Sequence, residues 1–173
     1  RYAGGTLYYC NASNTWAALG TSSSEPVAFM AKKNDAAQTI APNTPTKITF
    51  NAEDFDTSGS FASSAFTVPV SGKYVVMVSL RWDPNADGDG LYTMIYRNGL
   101  GVYYANTRAS GGSAAQSVPI SVVMSLNAGD VLEVYGHHLG SANATVVSND
   151  GYTTFSAAML APQGGSGGGA SAL

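Results

Sequence analysis

A short acidic segment, DPNADGDG at residues 83–90, has the side chains best suited to binding a metal ion. Alternating oxygen ligands followed by a glycine are typical of calcium loops, in which the oxygens converge on one hard cation. The segment matches the first half of that pattern at Asp83, Asn85, Asp87 and Gly88. Met94 stands where an EF-hand needs a bidentate glutamate, and the flanking residues predict strands, so the segment is not an EF-hand. If Asp89 supplies the missing oxygen, the loop is a calcium site; otherwise it is a solvated acidic turn.

Two adjacent histidines, His137 and His138, are a second candidate for chemistry. Neighbouring side chains on a strand point to opposite faces, so these two cannot both bind one metal ion within a single subunit. In a trimer, a histidine facing the threefold axis would occur three times, which is enough for a shared metal or a pH-dependent contact. The alternative is that both histidines belong to the loop that runs to Gly140.

No group of residues is typical of a catalytic centre. A serine nucleophile needs an ordered histidine and acid, and neither histidine lies in a motif such as G-x-S-x-G. The carboxylates of Glu53, Asp54 and Asp56 are expected in one polar loop, so they do not form the separated pair of a glycosidase. Cys10 is the only cysteine, which excludes an internal disulfide and a cysteine-built metal site. We therefore predict a protein that is not an enzyme.

The composition excludes two further classes of partner. The chain has 173 residues, with 8 Lys and Arg against 11 Asp and Glu, for a net charge of −3. The basic residues are scattered apart from Lys32 and Lys33, so no surface for a nucleic-acid backbone is indicated. The uncharged stretches are broken by polar residues and proline, so none offers the roughly 20 continuous apolar residues of a membrane-spanning helix. We expect no nucleic-acid partner and no membrane insertion, and no cofactor other than the candidate calcium.

Short runs of Val, Ile, Thr, Tyr and Phe between turn residues indicate an all-β fold along nearly the whole chain. From Tyr74 to Leu80 alternate residues enter a core, while Val75 and Met77 leave the other face half apolar. The Asn98–Gly99 pair predicts a type I′ hairpin. Further strands are predicted at residues 27–31, 46–50, 65–68, 91–96, 102–106, 117–126, 131–135, 144–147 and 153–160. About ten strands at this spacing predict a β-sandwich.

The two ends of the chain differ in composition from this central part. Residues 1–24 are uncharged after Arg1 and too apolar for a free linker, so we interpret them as an attachment arm or linking hairpin. The apolar residues of this arm that we expect to make contacts are Leu7, Tyr8, Tyr9 and Trp16. Residues 162–173 are rich in Gly and Ser and predict a flexible tail. The head domain is therefore predicted at residues 25–161.

The order of the central segments resembles the globular head domain of complement C-one-q, which shares its jelly roll with tumour necrosis factor. The resemblance covers residues 27–160 and is carried by the successive segments VAFMAKK, TKITFNAEDFDTSGSF, FTVPVSGKYVVMVSL, YRNG, LNAGDVLEVY and GYTTFSAAML. Its most specific residues are Phe66, Pro69, Gly72, Tyr74, Asn98–Gly99, Gly129–Asp130 and Phe155–Ser156. It implies a ten-stranded antiparallel jelly-roll sandwich that assembles as a compact homotrimer and acts by binding, without catalysis.

The residues expected to pack between the subunits are apolar or aromatic side chains left over after the core is filled. A monomer would expose them as an aggregation-prone patch, so they favour assembly. They are Val75, Met77, Tyr92, Tyr96, Tyr103, Tyr104 and Tyr135. The alternative is a monomer with tyrosines scattered over its surface.

The segment GGTLYYCNASNTWAAL near the start of the chain resembles short linking hairpins that precede terminal domains in bacteriophage tail-fibre and virion proteins. This resemblance implies a virion-surface, extracellular protein: a knob on a fibre or spike that binds the host surface, with a glycan as a candidate ligand. The recognising loops are expected at residues 83–90, 108–113 and 139–143, and the candidate ligand-binding residues are Asp83, Asn85, Asp87, Asp89 and Arg108. Three alternatives stay open: a decoration protein that cements a capsid at threefold positions, a secreted or spore-surface structural protein of a bacterium, and an enzyme on the same scaffold.

Overall fold

The structure is a computed structural model, and it describes residues 2–3, 6–10, 16–18, 25–83, 88–111, 114–148 and 151–163. Near the start of the chain, an antiparallel three-stranded sheet is formed by β1 (Tyr2–Ala3), β2 (Thr6–Cys10) and β3 (Trp16–Ala18). The predicted attachment arm therefore contains paired strands, with Leu7, Tyr8 and Tyr9 in β2 and Trp16 in β3.

The rest of the described chain is a two-layered β-sandwich. Its strands are β4 (Ala28–Lys32), β5 (Gln38–Ile40), β6 (Thr46–Lys47), β7 (Ala52–Asp56), β8 (Phe61–Ala62), β9 (Ala65–Thr67), β10 (Gly72–Trp82), β11 (Gly90–Arg97), β12 (Leu100–Arg108), β13 (Gln116–Leu126), β14 (Val131–His138), β15 (Ala144–Val146) and β16 (Thr154–Pro162). These are more than the ten strands predicted, because short strands such as β5 and β8 also pair with a neighbouring strand. No helix in the described part is long and apolar enough to span a bilayer.

All the strand pairs in the two layers are antiparallel. One layer is a seven-stranded sheet with the order β5-β15-β10-β16-β4-β7, in which β13 pairs with the other side of β10 along its whole length. The other layer is a six-stranded sheet with the order β12-β11-β14-β9-β8, and β6 pairs with β14. The predicted all-β antiparallel sandwich is confirmed.

The core lies between the two sheets and follows the alternation predicted for β10. Tyr74, Val76, Val78, Leu80 and Trp82 are buried at every second position of this strand. Aromatic rings fill the centre: Phe29 stacks on Phe61 and Phe66 at centroid distances of 4.8 and 4.6 Å, and Phe155 meets Phe29 edge-on at 4.9 Å. Truncating such a buried phenylalanine to alanine costs about 3–5 kcal/mol.

The predicted hairpin between β11 and β12 is present, with both turn residues at positive φ: Asn98 at 53° and Gly99 at 79°. The Asn98 amide donates to Asp130 Oδ1 at 2.8 Å, and Arg97 pairs with Asp130 Oδ2 at 2.7 Å. Burial opposes ionisation of Asp130, but hydrogen bonds from Asn127, Asn98 and Arg97 outweigh it and hold its pKa below the usual value. This carboxylate therefore ties the hairpin to the turn that precedes β14.

Three predicted local assignments are wrong. Glu53, Asp54 and Asp56 lie in the strand β7 and not in a loop, because an outermost strand can expose its side chains while its backbone pairs with β4. The strand predicted at residues 46–50 is only the two-residue β6. His137 and His138 end the strand β14 and are not part of the following loop. Asn85, Asp87 and most of the predicted tail, residues 164–173, lie outside the described residues.

Candidate functional site

The outward surface of the seven-stranded sheet carries an apolar row that crosses five strands. Met77 of β10 lies between Ser121 of β13 and Ser156 of β16. On the far side of Ser156 the row continues through Met30 of β4 to Phe55 of β7. Met77 and Phe55 remain 46% and 49% exposed. None of the five residues in this row is charged.

A second row lies directly beside the first and is also uncharged. Its members, in order across the sheet, are Val123, Val75, Ala158 and Ala28. Val123 is 56% exposed, and Val75 is half-buried. We call the two rows together the apolar face. Charged side chains border the face: Lys73 donates to Ser125 at 3.1 Å, and Lys32 pairs with Asp54, the neighbour of Phe55, at 2.7 Å.

A separate apolar surface lies at the edge of the six-stranded sheet, on β12. This strand pairs with β11 on one side only within the described chain. Leu100 is 71% exposed, Val102 is 38% exposed and Tyr103 is 39% exposed. An outermost strand with exposed apolar side chains is a ready surface for another chain.

The tyrosines predicted to pack between subunits are divided between these surfaces and a third one. Tyr92, Tyr96, Tyr104 and Tyr135 share the outward surface of the six-stranded sheet, opposite Val75 and Met77, whereas Tyr103 of β12 lies opposite the buried Ile95. The Tyr96 and Tyr135 rings stack at a centroid distance of 4.0 Å, and Tyr104 lies opposite Met94, which is buried. Burial, with the neighbouring Tyr104 and Tyr135, raises the pKa of Tyr96. The seven predicted residues therefore do not form one patch.

We call the outward surface of the six-stranded sheet, with Tyr92, Tyr96, Tyr104 and Tyr135, the tyrosine surface. A groove of about 300 Å3 opens on it where β11 begins and β12 ends. It is lined by Gly88, Gly90, Tyr92, Asn106, Thr107, Arg108 and Leu139. Arg108 is the only charged residue among these described lining residues, and its Nη1 donates to the carbonyl oxygen of Gly88 at 3.2 Å. The predicted ligand-binding residue Arg108 is thus placed in a concave site, together with polar and aromatic neighbours.

Of the predicted calcium ligands, the structure describes Asp83 and Asp89. The Asp83 backbone N–H donates to Thr145, and a Cβ on Gly140 would collide with the Asp89 carboxylate. Among the residues that the structure describes, which do not include the segment 84–87, no group of three metal-binding side chains occurs. Since Asn85 and Asp87 fall in that segment, the calcium site stays a prediction.

The two histidines occupy different environments. His138 is buried: its Nδ1 accepts from the Gly140 N–H at 3.1 Å, so its Nε2 carries the proton and donates to the Ile40 oxygen at 3.1 Å. Both nitrogens of His138 are therefore used within the protomer, and this residue does not face outward. The His137 ring lies on the tyrosine surface, 5.4 Å from the Tyr92 ring, and burial and the neighbouring His138 lower its pKa.

Several residues of these surfaces were not predicted from the sequence. Val123, Phe55 and Leu100 belong to the most exposed large hydrophobic side chains, but only strand register brings Val123 beside Val75. The alternation within residues 117–126 was the available signal for Val123, because its neighbours Val122 and Met124 face the core. No local pattern indicated the groove, because its walls come from three separate segments.

Comparison with known proteins identifies the fold. No protein-family model and no curated protein sequence matches the chain. The solved structures that share its fold include the following three. Eiger TNF from S. frugiperda aligns with a TM-score of 0.64 at 12% identity, over 82% of this chain and 98% of that one. The globular domain of zebrafish complement 1qA aligns with a TM-score of 0.57 at 16% identity, over 79% and 99%.

Murine APRIL, crystallised at pH 5.0, aligns with a TM-score of 0.62 at 12% identity, over 79% of this chain and 100% of the APRIL chain. The chain therefore has the jelly roll of tumour necrosis factor and the complement C-one-q head domain, as its sequence indicated. At these identities the likeness establishes the fold alone.

Proposed function

We propose that this chain is a non-enzymatic, homotrimeric binding domain, and that the apolar face is buried between its subunits. The apolar face carries the proposal: its two adjacent uncharged rows cross five and four strands, with Met77, Phe55 and Val123 about half exposed. Apolar surface gains about 25 cal/mol for each Å2 removed from water, so a continuous face of this kind favours association.

A threefold assembly also accounts for the second apolar surface. In a closed ring each subunit presents two different surfaces, one to each neighbour. The apolar face on one subunit and the exposed strand β12 on the next are such a pair, since they lie on different sheets of the sandwich. Leu100, Val102 and Tyr103 would then be covered, and the tyrosine surface on the outside of the six-stranded sheet would remain accessible for binding.

We further propose that the trimer is a knob on the surface of a bacteriophage virion, where it binds the host surface. The support is the sequence segment GGTLYYCNASNTWAAL, which resembles the linking hairpins of virion proteins, contains β2 and β3, and precedes the jelly roll. A decoration protein seated on a capsid is the second candidate; in that setting the same segment would contact the shell. In either setting the loops at the end of the sandwich are the recognising elements.

Native mass measured by light scattering tests the assembly. Three chains of 17.8 kDa predict about 53 kDa, and a mass of one chain would overturn the proposal. Repeating the measurement with a chelator tests whether a bound cation supports the trimer.

Deleting residues 1–24 distinguishes the two settings, once the trimer is established. A host-binding knob should keep its affinity for cells without the arm, whereas a decoration protein should lose its affinity for the capsid. Loss of cell binding together with an unchanged trimer mass would contradict the knob.

A further inference from the structure

We propose that the groove between β11, β12 and Leu139 binds a carboxylate-bearing sugar unit of an anionic glycan, with Arg108 holding the carboxylate and Tyr92 contacting the sugar ring. This inference rests on the proposed function, since it names the ligand of the binding domain. The seven described lining residues come from β11, β12 and the residues next to them.

The groove exists because Gly90 has no side chain. A Cβ at this position would lie 3.1 Å from Tyr92 Cε2 and 3.3 Å from Leu139 Cδ1, closer than most Cβ contacts. Gly90 does not adopt a positive φ, so its backbone conformation does not require glycine. The missing side chain instead leaves an open floor between Tyr92 and Leu139, and the volume of 300 Å3 is at the lower end of the roughly 300–1,000 Å3 typical of small-molecule sites.

Strand register places the polar and aromatic groups around that floor. Arg108 lies opposite Gly90, and Asn106 lies opposite Tyr92, so all four positions share the outward surface of the sheet. Tyr92 is half-buried, and its ring packs against the His137 ring, which restricts the orientation of the tyrosine ring. A tyrosine with a fixed ring offers a sugar an apolar surface and a hydroxyl, and Asn106 adds an amide that can both donate and accept.

The charge at the groove selects an anionic ligand. A guanidinium has five N–H donors, and the bond to Gly88 uses one of them. The geometry of the remaining donors suits a carboxylate, which can accept two parallel hydrogen bonds from one arginine. Arg108 is the one charged side chain among the described lining residues, and the carboxylate of Asp89, which lies between Gly88 and Gly90 in sequence, is close to Gly140. A neutral sugar would leave that charge unpaired, so a uronic or sialic type of sugar fits better.

The experiment measures binding of D-glucuronate and D-glucose to the full chain by ligand-observed NMR. We expect glucuronate to bind about tenfold more tightly than glucose, because it alone forms a charge-assisted bond. Arg108→Gln should weaken glucuronate binding about tenfold, to the level of glucose. Arg81→Gln is the matched control: it removes the same charge from β10 in the opposite sheet, where Arg81 lies 4.1 Å over the Tyr152 ring, and binding should not change.

Gly90→Ala is a second test that leaves every polar group in place. The added methyl group fills the floor of the groove, so glucuronate binding should be lost while the circular dichroism spectrum is unchanged. The inference is overturned if glucuronate does not bind, or if glucose binds as tightly as glucuronate. It is also overturned if Arg108→Gln and Arg81→Gln weaken glucuronate binding equally. The native mass of the same sample separates the two proposals: a trimer that binds no glucuronate contradicts only the groove, and a monomer that binds it contradicts only the assembly.

Discussion

Replacing Met77 with glutamate tests the apolar face at its centre. Met77 is 46% exposed in one protomer, so the folded chain can accept a charged side chain there with its carboxylate in water. In the proposed trimer the same carboxylate would be buried in each of three interfaces. The variant should therefore fold normally but fail to assemble.

The size of the effect follows from the threefold symmetry. Burying an unpaired carboxylate costs several kcal/mol after relaxation; at about 3 kcal/mol for each copy, the trimer loses about 9 kcal/mol. Since about 1.4 kcal/mol is a factor of ten, the association constant falls by roughly six orders of magnitude. The protomer concentration at half-association varies with the inverse square root of that constant, so it rises roughly a thousandfold.

Light scattering across a dilution series measures that midpoint, with circular dichroism to confirm the fold. Thr67→Glu is the matched control, because it places the same charge at an exposed strand position of the opposite sheet. Met77→Gln, which is neutral, should shift the midpoint much less than Met77→Glu. The reasoning is refuted if Met77→Glu remains a trimer at the wild-type midpoint, or if Thr67→Glu dissociates the trimer equally.

Three further predictions concern stability and the metal. Asp130→Asn should lower the free energy of unfolding at neutral pH by about 1–3 kcal/mol, because it weakens the bonds from Arg97 and the hairpin. The folded pKa of Asp130 is lowered, so its contribution is present above the ordinary value of 3.8 and is lost as the pH falls through the folded pKa; urea titrations that give the same deficit at every pH would contradict this. The lowered pKa of His137 means that the unfolded chain binds the proton first, so stability should decline as the pH falls below 6.5, and His137→Gln should flatten that decline in thermal melts. If residues 83–90 bind calcium, Asp83→Ala with Asp87→Ala should abolish the rise in Tm that added calcium gives the wild type; no calcium-dependent rise in the wild type would exclude the site.

The alternation of side chains was enough to predict the sandwich and much of its core. Tyr74 and its alternate neighbours in β10 are buried as expected, and Asn98–Gly99 forms the expected turn. These features are local: the period of a strand fixes which side chains share a face, and the φ preferences of two residues fix a tight turn. The order of such local signals along the chain also carried the resemblance to the jelly roll.

Which strands become neighbours was decided only in the tertiary structure. The sequence grouped Val75 and Met77 with the tyrosines, but pairing of β10 with β13 and β16 places the first two on one sheet, and all five tyrosines lie on the other. The groove likewise needs β11, β12 and the end of β14 side by side, although Gly90 and Leu139 are far apart in sequence. Pairing and register depend on how two whole sheets close over one core, so the periodicity of a single segment does not contain them.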